Sequence, residues 1–397
     1  MSEKADATYF DLDLVRSKLN SIDWNFPSAG NVSPIHYFPR YPGNFIYQIP
    51  SYLIQILSSP GEIVFDPFCG SGTTGLEASK LGRQAVLLDA LQVSCEISLN
   101  KSLIISKEIC RKDFEKVLNN FVWKQLCLTD NLGYNSEGGD QNLSKWYSAQ
   151  TLKSLRYIWK IIEESGEPIN YAMRIAFYET LVACASTKRA KTKSGGSRRH
   201  HWGWIADNVI PKELIEHDAI SLFINYLKIL VDSIDVNLFH DKIKVLKHDI
   251  SSPIPNSLIL KNSVDLIVTS PPYLGVIDYT KAHRLQYMWM GWDFDSDKLL
   301  EIGARCRRNR KDVVDNYMES LGKSFKNAFD VLKPNRFCAV VVGESSKFPG
   351  LTNDVFEMIC TFGELVWGPI SRTASRRRLS SKSNPTPVEK ICVFQKK

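Results

Sequence analysis

The sequence predicts an α/β protein, an open doubly wound sheet interrupted by a mainly helical insertion. Three observations predict it. The apolar run EIVFD at 62–66 leads into a Gly-rich turn, a helical stretch and a second apolar run, QAVLLDA at 84–90. That strand–turn–helix–strand order opens a parallel sheet. The same rhythm resumes near residue 241 with KIKVLKHD, SVDLIVTSPPY and RFCAVVVGE. Between the two blocks the alternation breaks and apolar residues recur at helical spacing. Three stretches follow: 31–99 with the Gly-rich turn, 100–240 as the insertion, and 241–397 as the rest of the sheet domain.

In chain order, 1–30 is polar and mixed. NVSPIHYFPRYPGNFIYQIPSYLIQILSS at 31–59 opens with prolines and aromatics and becomes an amphipathic helix from about Pro50. After the first two strands, 91–109 reads as a helix. TDNLGYNSEGGDQN at 129–142 reads as a surface loop, and two periodic helices follow at 148–164 and 169–186. KRAKTKSGGSRRHHWGW at 188–204 has no periodicity and reads as an exposed loop. A further helix is expected over 214–234. Strands at 242–249 and 263–269, a helix at 316–331 and a buried strand in RFCAVVVGE restore the α/β order. The C-terminus, VWGPI to KICVFQ, reads as two strands around a basic loop, the terminal hairpin of a seven-stranded sheet.

The composition narrows the class. Hydrophobic residues are 44% of 397, enough for a sizeable core. Fifty Lys and Arg against 43 Asp and Glu leave a moderate excess of +7, which points only weakly to nucleic acid. Nine cysteines without a CxxC pair argue against zinc or a disulfide framework. No export signal and no uncharged apolar run of membrane length is visible, so a cytoplasmic enzyme away from membranes is expected.

DPFCGSGTT at 66–74 places two close glycines, Gly70 and Gly72, after an apolar strand. They permit a tight turn lying close to a ligand, and the following helix N-terminus offers free amides. The GK[ST] ending of a phosphate loop and the spacing GxGxxG are both missing. Asp66 and Asp89 end adjacent expected strands, where open α/β sheets bind ligands. An ionised carboxylate at Asp89 suits a ribose diol, because it accepts and the diol donates. The bland alternatives are an empty strand-to-helix turn and a solvated strand end.

DPFCGSGTTGLEA closely resembles the cofactor loop of the DNA amino-methyltransferases, which modify N4 of cytosine or N6 of adenine. The resemblance implies a Rossmann-like S-adenosylmethionine-dependent methyltransferase sheet. It assigns the loop residues Asp66, Phe68, Cys69, Gly70, Gly72, Thr73 and Thr74 to the methionine moiety, Asp89 to the ribose and Asp249 to the adenine. HYFPRYPGNFIYQIPSYLI at 36–54 is similar to the segment that closes over the methionine in many members, which adds His36 and Tyr37.

TSPPY at 269–273 follows the apolar strand VDLIV. Two prolines remove two donors, and Ser270 before them is driven to extended geometry. Oxygen acceptors beside the flat ring of Tyr273 suit an exocyclic amine on an extruded base. TSPPYLGVIDY resembles the catalytic motif of the same family. The resemblance puts Ser270, Pro271, Pro272 and Tyr273 at the base and Thr269 with the cofactor residues. Serine at the motif's first position tilts the substrate toward cytosine N4, with adenine N6 as the alternative. A methyl on sulfonium is already activated, so direct transfer requires no metal. Cys69 reads as a packed residue, and the Pro–Cys pair of carbon-5 cytosine methyltransferases does not occur. Tyr279 and His283 share a face at helical spacing, lining the substrate entrance or simply packing.

Three basic stretches are candidate DNA contacts. The first carries Lys188, Arg189, Lys191, Lys193, Arg198 and Arg199; the second Arg307, Arg308 and Arg310; the third Arg376, Arg377 and Arg378. The expected partner is double-stranded DNA, with a cognate restriction endonuclease a second candidate suggested by the family. An RNA base methyltransferase and an inactive DNA-binding protein are the remaining alternatives.

Overall fold

A computed structural model describes residues 11–27, 34–106, 115–117, 119, 143–186, 191–192, 209–233, 242–345, 347–373 and 388–397. Its strands are β1 (Ile63–Asp66), β2 (Gln84–Asp89), β3 (Lys191–Thr192), β4 (Val209–Ile210), β5 (Ile243–Lys247), β6 (Val264–Thr269), β7 (Leu332–Gly343), β8 (Gly363–Thr373) and β9 (Val388–Lys396). Seven form one sheet in the order β5-β2-β1-β6-β7-β9-β8, and β3 and β4 make a separate two-stranded pair. The pairings from β5 to β7 are parallel, whereas β9 runs antiparallel to both β7 and β8. The chain moves outward from β1 through β2 to β5, then returns to start β6 on the other side of β1. That reversal makes the β1/β6 junction the topological switch point, where such sheets bind ligands.

The strands read as continuous apolar runs because both sheet faces are covered. Val64, Leu266 and Val268 point to one face, packed beneath α1 (Leu12–Asn20) and α3 (Gln48–Leu57). Phe65, Ile267 and Val340 point to the other, where they join residues of the helices Val313–Val331 and Leu351–Ile359. The expected C-terminal hairpin is present as β8 and β9. The N-terminal segment is part of the same body, since Arg16 donates through Nε to the Val366 carbonyl at 2.9 Å and Arg372 does so to the Trp24 carbonyl at 2.9 Å.

The remaining helices are α2 (Pro34–Tyr37), α4 (Thr73–Lys80), α5 (Gln92–Ser106), α6 (Ala149–Glu164), α7 (Ile169–Cys184), α8 (Ala219–Asp232), α9 (Tyr279–Ala282), α10 (Arg284–Met290), α11 (Phe294–Leu300), α12 (Val313–Val331) and α13 (Leu351–Ile359). Helix α6 starts where Ser148 caps the Thr151 amide. The helix expected from 214 starts instead at Ala219. Its would-be first turn is held by other groups: Ile215 donates to the Ser186 hydroxyl at 2.9 Å and His217 to the Thr151 hydroxyl at 2.9 Å. Asp218 then caps Ser221. Helices α6, α7 and α8 share one core with Leu76, Leu91 and Ile97, so the helical block is continuous with the cofactor-loop side of the sheet.

Candidate active site

A cleft opens at the C-terminal ends of β1, β2, β5 and β6. It encloses about 840 Å3, open solvent at its mouth included. Asp66, Phe68, Cys69, Gly70, Ser71, Thr73 and Thr74 form its floor, Asp89 to Leu91 and Asp249 one end, Ser270 and Pro272 the other. The turn is made by Gly70 at φ +50° and Gly72 at φ +82°, a left-handed pair that glycine adopts without strain. Gly72 packs directly on α5, where an added Cβ would lie 2.9 Å from the Ser98 hydroxyl.

The two buried carboxylates are held differently. Asp66 accepts from Thr74 Oγ1 at 2.6 Å, Thr269 Oγ1 at 2.7 Å and the Phe68 amide at 3.1 Å, tying β1 to α4 and β6. Thr269 therefore serves the cleft from behind it. Asp89 accepts from the Gly70 and Leu91 amides at 3.0 and 2.9 Å. Burial pushes both carboxyls up to about 6, opposed by these hydrogen bonds. Burial also pushes the Cys69 thiol well above its ordinary value, which suits packing and not nucleophilic attack. Asp249 is engaged by the amide and hydroxyl of Ser251 at 2.9 and 2.8 Å.

The far wall comes from residues before the loop. Tyr41, Gly43, Asn44 and Phe45 line the cleft. The Tyr41 ring covers Gly70, 3.1 Å from where a Cβ would stand, and its hydroxyl meets the Ser94 hydroxyl at 2.8 Å. Asn44 takes a short bond from the Ser71 hydroxyl and donates to the His36 carbonyl. His36 and Tyr37 are not among the lining residues. His36 is buried instead against Glu77, 3.0 Å away, and stacks on Tyr47 at 5.1 Å, while the Tyr37 side chain is exposed. The expected segment does reach the cleft, but through residues a few positions further on.

At the opposite wall, Ser270 donates its hydroxyl proton to the Val341 carbonyl at 3.0 Å. Its lone pairs are thereby left to accept, with the Tyr273 hydroxyl 3.1 Å away. Pro272 accepts from Tyr317 at 3.0 Å. The Tyr273 ring lies over Gly343, so close that a Cβ there would stand 2.2 Å from it. Tyr279 lines the cleft beside Tyr41, ring centroids 5.7 Å apart. His283 sits behind both, fully buried, and desolvation pushes its imidazole down to about 3.

The DNA methylase family model matches residues 16–100, which span the Tyr41 segment, the glycine loop and Asp89. The chain is 23% identical to the Type II methyltransferase M.MjaII of Methanocaldococcus jannaschii, over 81% of this chain and 74% of that protein. It is 25% identical to the Type II methyltransferase M.BsoBI of Geobacillus stearothermophilus, over 69% of this chain and 56% of that one. The chain thus spans little more than half the length of this second relative. Its similarity is to DNA methylases over residues 16–100 and to Type II methyltransferases over most of its length. A TehB-like SAM-dependent methyltransferase from Corynebacterium glutamicum superposes with a TM-score of 0.30 at 12% identity, covering 89% of this chain and 90% of that one, too distant to bear on the site.

S-adenosylmethionine is the cofactor this family calls for, and the donor set fits it. Asp66 is filled by its three hydrogen bonds, whereas Asp89, with one amide on each carboxylate oxygen, keeps lone pairs that suit a ribose diol. The glycine turn leaves room for backbone to approach. Among the described residues no group of metal-ligating side chains occurs, and no helix is long and apolar enough to cross a membrane.

Of the family-style DNA contacts expected from sequence, the second stretch is described throughout. Arg307 is turned inward, donating to the Lys298 carbonyl at 2.6 Å and the Glu301 carbonyl at 3.3 Å. Its guanidinium closes the Leu300–Ile302 wall of the cleft. Arg308 is half-buried and Arg310 exposed. Their segment is stitched to the stretch that follows TSPPY, with Gly275 donating to Gly303 at 2.8 Å and Arg305 to Ile277 at 3.0 Å. Lys191 lies in β3, whose side chains are not described; Lys188, Arg189, Lys193, Arg198, Arg199, Arg376, Arg377 and Arg378 lie outside the described residues.

Proposed function

We propose that this chain transfers a methyl group from S-adenosylmethionine to N4 of cytosine in duplex DNA, after the target base leaves the stack. The observation that carries the amine as acceptor of the methyl is the state of Ser270. Its proton is committed to the Val341 carbonyl, so it faces the cleft as a hydrogen-bond acceptor. An exocyclic amine is a donor, and accepting its hydrogens turns the nitrogen lone pair away from the ring plane toward the methyl donor. The preference for cytosine rests on serine at the motif's first position.

The bound cofactor would supply an electrophilic methyl on sulfonium. The chain's own residues do the rest. Asp89 would accept from the ribose, Asp249 would stand at the adenine end, and the Gly70 turn under Tyr41 would hold the methionine. Ser270 and Pro271 would orient the amine and Tyr273 would stack on the base. No covalent intermediate on the chain is needed. The family match and the Type II designation of the relatives support duplex DNA as substrate and a cognate restriction endonuclease as partner. Incubation with mixed-sequence DNA, followed by mass analysis of the nucleosides, tests the proposal. N4-methylcytosine is expected. N6-methyladenine alone would overturn the base and keep the family; 5-methylcytosine alone would overturn the mechanism.

A further inference from the structure

We infer that Glu179, in helix α7 of the helical block, is a positioning residue for the cofactor cleft, acting through Arg40 on the wall residues Tyr41 and Asn44. The inference rests on the proposed reading of the cleft as the S-adenosylmethionine site.

The Glu179 side chain is fully buried within α7. Both of its oxygens go to one residue. Oε1 lies 2.6 Å from Arg40 Nε, and Oε2 accepts the Arg40 backbone amide at 2.9 Å. The second bond matters more, because it fixes the main chain and not merely a long side chain. The next residue is Tyr41, whose ring covers Gly70 and whose hydroxyl reaches Ser94. Three residues on, Asn44 grips Ser71 within the glycine loop. The wall of the cleft is thus referenced to Glu179, in a different part of the sequence by 139 residues. Phe38 provides a second foot on the same block, edge-on to Tyr226 of α8 at 5.6 Å.

A carboxylate is a costly way merely to fill a helix core, since an apolar residue of similar size usually serves stability as well or better. What it adds is a fixed location for one backbone amide. Burial pushes the Glu179 carboxyl up, and Arg40 is the largest opposing influence. The carboxylate therefore depends on Arg40 as much as Arg40 depends on it.

The test is calorimetric titration of S-adenosylmethionine into the full chain, its Arg40→Ala, Arg40→Lys and Glu179→Gln variants, and the Arg40→Ala/Glu179→Gln double variant. Melting of each protein without cofactor is measured alongside. A charged hydrogen bond sets the scale, so Glu179→Gln should weaken binding about ten-fold or more, and Arg40→Ala, which keeps the amide bond, by less. Arg40→Ala removes the side-chain ion pair and keeps the amide bond, so the double variant should be no weaker than Glu179→Gln alone. Arg40→Lys should fall between Arg40→Ala and the unaltered chain, and KM for the cofactor should rise more than kcat falls. Unchanged affinity in folded variants, with only the melting temperature lowered, would reduce Glu179 to a structural residue. Should Glu179→Gln fail to fold, the half-exposed Arg40→Ala still tests the side-chain half of the link. Failure of the unaltered chain to bind S-adenosylmethionine would instead refute the reading of the cleft, a result distinct from equal binding by all variants.

Discussion

Asp89 shows how burial sets the chemistry of a single side chain. Two backbone amides hold its carboxylate at the end of β2, yet burial still pushes it up to about 6. In an unfolded chain the same group titrates near about 3.9. The folded state therefore binds a proton between about pH 4 and about pH 6 that the unfolded state does not. Its contribution to stability is present below that window and is lost as pH rises through about 6. Cofactor binding should run the opposite way, because only the ionised carboxylate accepts two hydrogen bonds. S-adenosylmethionine affinity is expected to fall as pH drops from about 7.5 to about 5.5, and Asp89→Asn should flatten that dependence in calorimetry. Asp89→Ala should weaken the cofactor by about 1.5–3 kcal/mol while leaving DNA affinity nearly unchanged. Equal weakening of both would remove Asp89 from the cofactor site. Its place at the end of β2 is legible in the sequence, because the apolar run after the glycine turn stops at this carboxylate. Tyr41 is not, since nothing in PRYPGNF marks which aromatic faces the loop.

Strand β6 and the motif after it illustrate what an element contributes. Every residue of β6 is buried, and the double proline stops it at the switch point, so both the strand and its end can be read from VDLIVTSPPY. What holds Tyr273 cannot be read there, because it comes from the next strand. Gly343 ends β7, and the Tyr273 ring occupies the space a side chain there would need. Tyr273 also reaches Glu389 on β9 at 3.4 Å, and Glu389 is in turn paired with Arg372 on β8. Gly343→Ala should displace the ring and cut methyl transfer at least about ten-fold, in line with base stacking worth about 1–3 kcal/mol. Tyr273→Ala should do the same, and both should leave S-adenosylmethionine affinity almost intact. Ser270→Ala should be milder, since the backbone carbonyl remains. Full activity in Gly343→Ala would mean that the ring's present position is irrelevant to the base. The helix that begins at Ala219 and not near 214 carries the same lesson for α8. Hydroxyls from Thr151 and Ser186 claim the preceding backbone, and such long-range partners leave no local signal.

Over the whole molecule, the sheet order follows from the strand–helix alternation and the terminal hairpin, whereas the sharing of work between charges does not. Arg307, Arg308 and Arg310 look equivalent in GARCRRNRKD, yet only the structure separates them. Arg307 closes carbonyls behind the cleft wall, and Arg310 stands exposed beside the segment stitched to the stretch that follows TSPPY. Lys347 joins this edge, donating to the Arg308 carbonyl at 2.7 Å. The positive excess of the chain gives no hint of that arrangement, because it is small and spread throughout. Arg308→Ala with Arg310→Ala should weaken duplex binding about equally for all sequences. It should also flatten the log–log salt dependence by roughly 0.9 for each phosphate that is no longer neutralised. Arg307→Ala should leave the salt slope alone and lower the melting temperature, since the carbonyls of Lys298 and Glu301 lose their donor. Neutralising Lys188, Arg189, Lys191, Lys193, Arg198 and Arg199 together should flatten the slope further. Binding isotherms over a salt series decide each case. A slope unchanged by Arg308 and Arg310 but reduced by Arg307 would reverse the division of roles that the hydrogen bonds of Arg307 imply.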